Sequence, residues 1–101
     1  MKPRYVLSPE AATDLAQIWR YIKERSGETV ASRVESAILD RIAFLSSHPN
    51  AGHWRRYLTD ASVKFLPVYS YLIVYRPGTK PTQVVSILHG HCNLRHILEN
   101  R

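Results

Sequence analysis

Apolar residues recur at helical spacing through the first half of the chain and follow an extended pattern through much of the second, and that change of period lays out the elements. Ala11, Leu15, Ile18 and Ile22 form one stripe, which predicts a first helix over residues 8–26. Ser8-Pro9-Glu10 supplies its start. Serine can cap open N–H groups, proline is tolerated at the first helical position, and glutamate complements the positive end of the dipole. The stripe stops at Ser26-Gly27, where glycine can take the left-handed backbone that ends helices. Ala31, Val34, Ile38, Ile42 and Leu45 make a second stripe, closed by Pro49-Asn50-Ala51-Gly52. Two helices of about 27 to 30 Å joined by so few residues run antiparallel, as a hairpin.

Beyond that break, Val63 to Leu66, Val68 to Arg76 and Thr82 to His89 are β-branched and aromatic runs, separated by Pro67 and by Pro77-Gly78-Thr79-Lys80-Pro81. They read as consecutive antiparallel strands. Pro3-Arg4-Tyr5-Val6-Leu7-Ser8 is a short β-prone lead-in, and residues 93–99 suggest a last helical turn. The fold class is α+β: an N-terminal strand, a two-helix antiparallel hairpin, then a three-stranded antiparallel sheet with the helices on one face. Residues 1–101 are expected to form a single domain.

The run from Val68 to Arg76 is apolar on both faces if it is one strand. Two helices can cover only one of them. Val68, Leu72 and Val74 are assigned to the helix side, because aliphatic residues pack without polar obligations. Tyr69, Tyr71, Ile73 and Tyr75 then fall on an open side. Tyrosine combines a large apolar body with a hydroxyl that tolerates water, which suits a surface sometimes wet and sometimes covered. Those rings either roof their own sheet or lie beneath a partner's helix or strand; the partner is the preferred reading.

Composition adds a bias in charge. Net charge is +6, and residues 50–101 hold seven Lys or Arg against only Asp60 and Glu99. Five of those seven, Arg55, Arg56, Lys64, Arg76 and Arg95, make the suggestive set, with Trp54 and Tyr57 close by in sequence. Cations beside aromatics can hold phosphates and stack bases, or can meet an acidic protein surface. Both remain open on sequence alone. The longest apolar run is far below the roughly 18 residues of a membrane span, and the N-terminus lacks the apolar stretch of a secretory signal. A single cysteine, Cys92, cannot make an internal disulfide, which suits a reducing compartment.

Few catalytic patterns are present. The sequence holds no glycine-rich phosphate loop, no Cys-x-x-Cys and no His-Glu-x-x-His. Asp14, Glu24, Glu35 and Asp40 read as solvated helix charges. His89, His91 and Cys92, with His96 or His53 in reach of the count, are better read as polar residues ending a strand than as a zinc site, so neither metal nor cofactor is expected.

Four segments in order carry a family likeness: YVLSPEAATDLAQIWRYI, ASRVESAILDRIAFLSSHPNAGHWRRYL, VKFLPVYSYLIVYRP and VVSILHG. Their order and spacing resemble the ParE branch of the RelE/ParE toxin superfamily, the toxic halves of bacterial type II toxin–antitoxin modules. The resemblance implies a cytoplasmic toxin neutralised by a ParD-like antitoxin whose C-terminal segment wraps it, in an assembly of two toxins with two or more antitoxins. It implies DNA gyrase as the target, a block to replication and growth arrest, DNA contacted only through the antitoxin or the gyrase complex, and no membrane role. On that reading Arg55, Arg56, Lys64, Arg76, His91 and Arg95 hold the target and no residue is catalytic. Trp19, Tyr69, Tyr71 and Tyr75 would meet the antitoxin. The alternative is a RelE-like endoribonuclease cutting ribosome-bound messenger RNA, with Lys64, Arg76 and His89 or His91 acting on the ribose hydroxyl and the phosphate. The chain departs from the usual ParE pattern at Lys64, where arginine is common, and at His91-Cys92, where a basic pair is common. The terminal His-Tyr of some ribonuclease relatives is missing.

Overall fold

Ser8 starts the first helix as its sequence predicts, and ties that helix to the sheet as well. In a computed structural model, which describes residues 4–59 and 61–90, the Ser8 hydroxyl accepts the Ala11 N–H at 3.0 Å and donates to the Val85 carbonyl at 2.7 Å. The elements in chain order are β1 (Tyr5–Leu7), α1 (Pro9–Ser26), α2 (Glu28–Ser47), β2 (Lys64–Val68), β3 (Tyr71–Arg76) and β4 (Thr82–His89). Gly27 alone links the helices, at φ 90°. That is a left-handed backbone value glycine adopts at little cost. The expected turn over 93–99 lies outside the described residues.

The strands form one sheet in the order β1-β4-β3-β2. Strands β2, β3 and β4 run antiparallel to their neighbours as expected, and β1 joins as a fourth strand, parallel to β4. The sheet is therefore one strand wider than the three-stranded unit read from the sequence. Between Val74/Ser86 and Tyr75/Val84 the register shifts by one residue, which makes Val85 a bulge. The Ser8 hydroxyl bonds the carbonyl of that extra residue.

Which residues face the helices is a correction to the sequence reading. Ala11 and Leu15 of α1 and Ile38, Ile42 and Leu45 of α2 pack against Val68, Tyr71, Ile73, Tyr75, Val84 and Ile87. Leu72 and Val74 instead point to the other face, with Val63, Phe65 and Leu88. Tyr71 and Tyr75, placed on the open side by alternation, are 8% and 0% exposed beneath the helical hairpin. The cause is a turn. Tyr69 and Ser70 join β2 to β3, with Val68 opposite Tyr71, and Tyr69 sits at φ 54°. A two-residue turn resets the alternation, so Val68 and Tyr71 share a face. Val68 was correctly assigned to the helix side; Leu72 and Val74 were not.

The second face carries its own small core. Leu58 from the segment before β2 and Val85 from β4 pack on Val63, Phe65, Leu72, Val74 and Leu88, all of which are buried. The bare, tyrosine-rich flank expected from the sequence is not present. An antitoxin can no longer be inferred from an uncovered sheet.

The free side of β2 is occupied by backbone and by proline. His53 and Phe65 exchange both their N–H···O bonds at 2.8 Å. Pro67, two residues on, points its backbone the same way and lacks an N–H.

Candidate interaction site

Tyr75 reaches from the middle of the helix-side core to the segment that follows α2. Its hydroxyl donates to the Pro49 carbonyl at 2.7 Å and accepts the Gly52 N–H at 2.9 Å. Burial pushes its pKa above the ordinary tyrosine value, and the Gly52 N–H bond pulls in the opposite direction. Gly52 fits only because it has no side chain: a Cβ there would stand 2.5 Å from the Tyr75 hydroxyl and 2.9 Å from the Phe65 carbonyl. This clamp, followed at once by the His53–Phe65 bridge, fixes where the next residues lie.

Those residues are Trp54, Arg55, Arg56 and Tyr57, and they gather over the start of β2. The Arg56 guanidinium is 4.5 Å and the Lys64 ammonium 5.1 Å from the centre of the Trp54 ring. Arg55 stands 5.8 Å from the Phe65 ring centre and donates from Nη1 to the Tyr57 hydroxyl at 3.1 Å. Lys64 Nζ has the Asn50 amide oxygen at 3.4 Å, and the residue as a whole is largely buried. Trp54 and Tyr57 are 44% and 66% exposed. The arrangement offers three cations beside two large exposed rings, a surface able to bind anionic groups and apolar side chains together.

Arg56 and Lys64 are thus brought together at the Trp54 ring, with Arg55 nearby at Tyr57 and the Phe65 ring of the second face, and the other candidates are not. Arg76 ends β3 near Lys64 but points to the opposite face, where it lines a shallow hollow with Val6, Ser8, Glu10 and Gln83. His89 ends β4 opposite Tyr71, with the two rings edge to face at 5.3 Å. Lys64 pairs with Tyr75 and His89 with Tyr71, so about 13 Å of strand separates them. His91 and Arg95 lie outside the described residues.

Sequence reasoning missed Asn50, Gly52 and Tyr75 as parts of this site. The signal for Gly52 was only its place in a loop, and Tyr75 was hidden by the inverted faces. Asp14 was also misread. It is buried rather than solvated, and its Oδ2 accepts the Ile87 N–H at 3.0 Å. Its position, between Ala11 and Leu15 on the apolar stripe, was the available clue.

The model of the ParE toxin family of type II toxin–antitoxin systems matches residues 5–93. The chain belongs to the ParE toxin family. It is 30% identical over 95 residues to Toxin ParE1 of Caulobacter vibrioides, spanning 94% of this chain and 96% of the relative. A solved structure described as a chromosomal ParDE toxin–antitoxin system from P. aeruginosa has the same fold, with a TM-score of 0.71, 20% identity, and coverage of 84% of this chain and 92% of that one. The α+β fold of this ParE-family toxin is thereby shown. Of the residues assigned to an antitoxin, Tyr69 is well exposed on its turn and Trp19 is half-buried on α1, with the Lys23 ammonium 5.2 Å from its ring centre. Tyr71 and Tyr75 face inward. Among the described residues no helix is long and apolar enough to cross a membrane.

Proposed function

We propose that this ParE-family toxin acts in the cytoplasm as a non-enzymatic poison of DNA gyrase, blocking replication, and that a ParD-like antitoxin neutralises it in an assembly containing two toxins. The family match over residues 5–93 is the observation that carries this reading. In it, Arg55, Arg56 and Lys64 hold the target from one patch, and Arg76 contributes from the neighbouring face, while Tyr69 and Trp19 meet the antitoxin. The alternative, a RelE-like ribonuclease, needs Lys64, Arg76 and a histidine converging on one phosphate. Arg76 and Lys64 on opposite faces, with His89 at the far end of the strands, weigh against that set.

Purified chain incubated with gyrase and supercoiled DNA is expected to accumulate gyrase-dependent cleaved DNA. Translating ribosomes treated in parallel should keep their messenger RNA intact. Cut messenger RNA with undisturbed gyrase would reverse the assignment.

A further inference from the structure

The rim of the sheet at the C-terminal end of α2 holds a second pair of cations. An open hollow of about 460 Å³ lies there, between Ser46 and Ser47 at the end of α2, Arg4 just before β1, and Thr79, Lys80 and Thr82 where the chain passes from β3 into β4. No carboxylate lines it. Among the described residues neither Arg4 nor Lys80 forms an ion pair or a side-chain hydrogen bond. Thr82 is the informative residue. It is only 4% exposed, and its hydroxyl has no hydrogen-bond partner among the described residues. No fully enclosed side-chain oxygen or nitrogen there is left unpartnered, so the little surface that Thr82 keeps includes its hydroxyl, which opens into the hollow it lines. A nearly buried hydroxyl of this kind costs free energy unless a polar group meets it.

Other groups around the hollow are already engaged. Thr79 Oγ1 donates to the Arg76 carbonyl at 3.3 Å and accepts the Gln83 N–H at 3.0 Å, and the Ser46 hydroxyl donates to the Ala43 carbonyl. Thr79 thereby pins the loop, while the Thr82 N–H, donating to the Arg4 carbonyl at 3.2 Å, ties two of the walls together. Two cations and the hydroxyls of Ser47 and Thr82 stay available. The end of α2 brings about half a negative charge, with no basic residue in its last turn, and two full positive charges outweigh it. A carboxylate offers two oxygens and one charge, whereas a phosphate monoester offers three oxygens and a charge of about −1.5 to −2, the better match to four donors and two cations. We propose that this hollow binds a phosphate monoester, with Arg4 and Lys80 meeting its charge and Ser47 and Thr82 donating to its oxygens. The volume falls within the roughly 300–1,000 Å³ of small-molecule sites, so a sugar carrying the phosphate also fits. None of the four residues belongs to the Trp54 patch or lines the Arg76 hollow, so the site stands apart from the gyrase reading.

The test titrates the purified full chain by calorimetry with ribose 5-phosphate, with acetate, and with a single-stranded oligothymidine lacking terminal phosphates, all at one ionic strength. Ribose 5-phosphate should bind in a concentration range where acetate does not. A net charge of +6 draws any anion to this chain, so the deciding variant is one that leaves charge unchanged. Thr82→Val keeps the shape of the side chain and removes the hydroxyl, and should weaken ribose 5-phosphate binding about threefold or more. Lys80→Gln, at an exposed loop position, should weaken it about tenfold or more, as expected for a lost charge-assisted contact. Thermal melts check that both variants fold. If Thr82→Val does not, Lys80→Gln carries the test against Arg33→Gln, which removes an exposed charge on α2 outside the hollow. Equal weakening by those two would mean general attraction to positive charge and would overturn the site, as would an affinity unmoved by a folded Thr82→Val. Acetate binding as tightly as ribose 5-phosphate, or an oligothymidine held through Lys80 where ribose 5-phosphate is not, would overturn the ligand class. Gyrase takes no part in these titrations, so a failure here is distinct from a negative gyrase assay.

Discussion

At the scale of single residues, the chain separates groups that support the fold from groups available to a partner. Arg76 belongs to the second kind, exposed at a strand end. Replacing it by alanine should relieve growth arrest at equal soluble expression while shifting stability by no more than about 0.5 kcal/mol, the usual range for an exposed site. A growth assay paired with a thermal melt checks both halves. Tyr75 belongs to the first kind. Tyr75→Phe removes the clamp on Pro49 and Gly52 and should cost about 1 to 2 kcal/mol in urea unfolding, since a buried N–H and a carbonyl lose their partner. The same residue sets a pH dependence. Its folded pKa is raised by burial above the ordinary 10.0, so the neutral phenol is the form that folding favours. That contribution is intact below about pH 10 and is lost as pH rises through the folded value. Tyr71, raised by burial and then by Tyr21, acts in the same direction. The Tyr75→Phe chain should therefore lose less stability between neutral pH and pH 11 than the parent does, measured by unfolding at each pH.

At the scale of elements, the helices were legible and the sheet's faces were not. Ser8-Pro9-Glu10, Gly27 and two apolar stripes announce where α1 and α2 begin and end, because capping and 3.6-residue periodicity are local properties. The turn between β2 and β3 leaves no such mark. Tyr69 takes a left-handed φ without being Gly, Asn or Asp, so Val68 to Arg76 looks like one strand and every later side chain is assigned to the wrong face. The cations of the Trp54 patch were visible in the sequence, but their convergence was not, since it depends on Tyr75 crossing the core to a loop 23 residues earlier. Ser8 also shows a role its sequence only half reveals. It caps α1 and bonds the bulge carbonyl of Val85, so Ser8→Ala should destabilise the chain by about 1 to 2 kcal/mol, at or above the ordinary value for a helix cap. Urea denaturation of the purified variant measures it.

At the scale of the whole molecule, both faces of the sheet are already packed, so this toxin does not need a companion in order to bury its core. In the proposed assembly the antitoxin covers surface features, and the Trp54 patch, the Tyr69 turn and the Arg76 hollow are the candidates for it to cover. The proposed antitoxin should bring two toxin copies into one particle, with a mass measured by light scattering equal to two toxins plus the antitoxin chains. A particle with one toxin would reject that assembly. The excess of positive charge predicts that target engagement weakens as salt is added, because exposed charges are screened over about 10 Å at 0.1 M salt.

The outer rim of β2 has a further effect on how such molecules behave when crowded. Phe65 has both main-chain groups engaged by His53, and Pro67 has no hydrogen to offer, so a neighbouring copy finds no ladder to extend there. On this side the fold is thereby closed to the strand-by-strand growth that builds fibres.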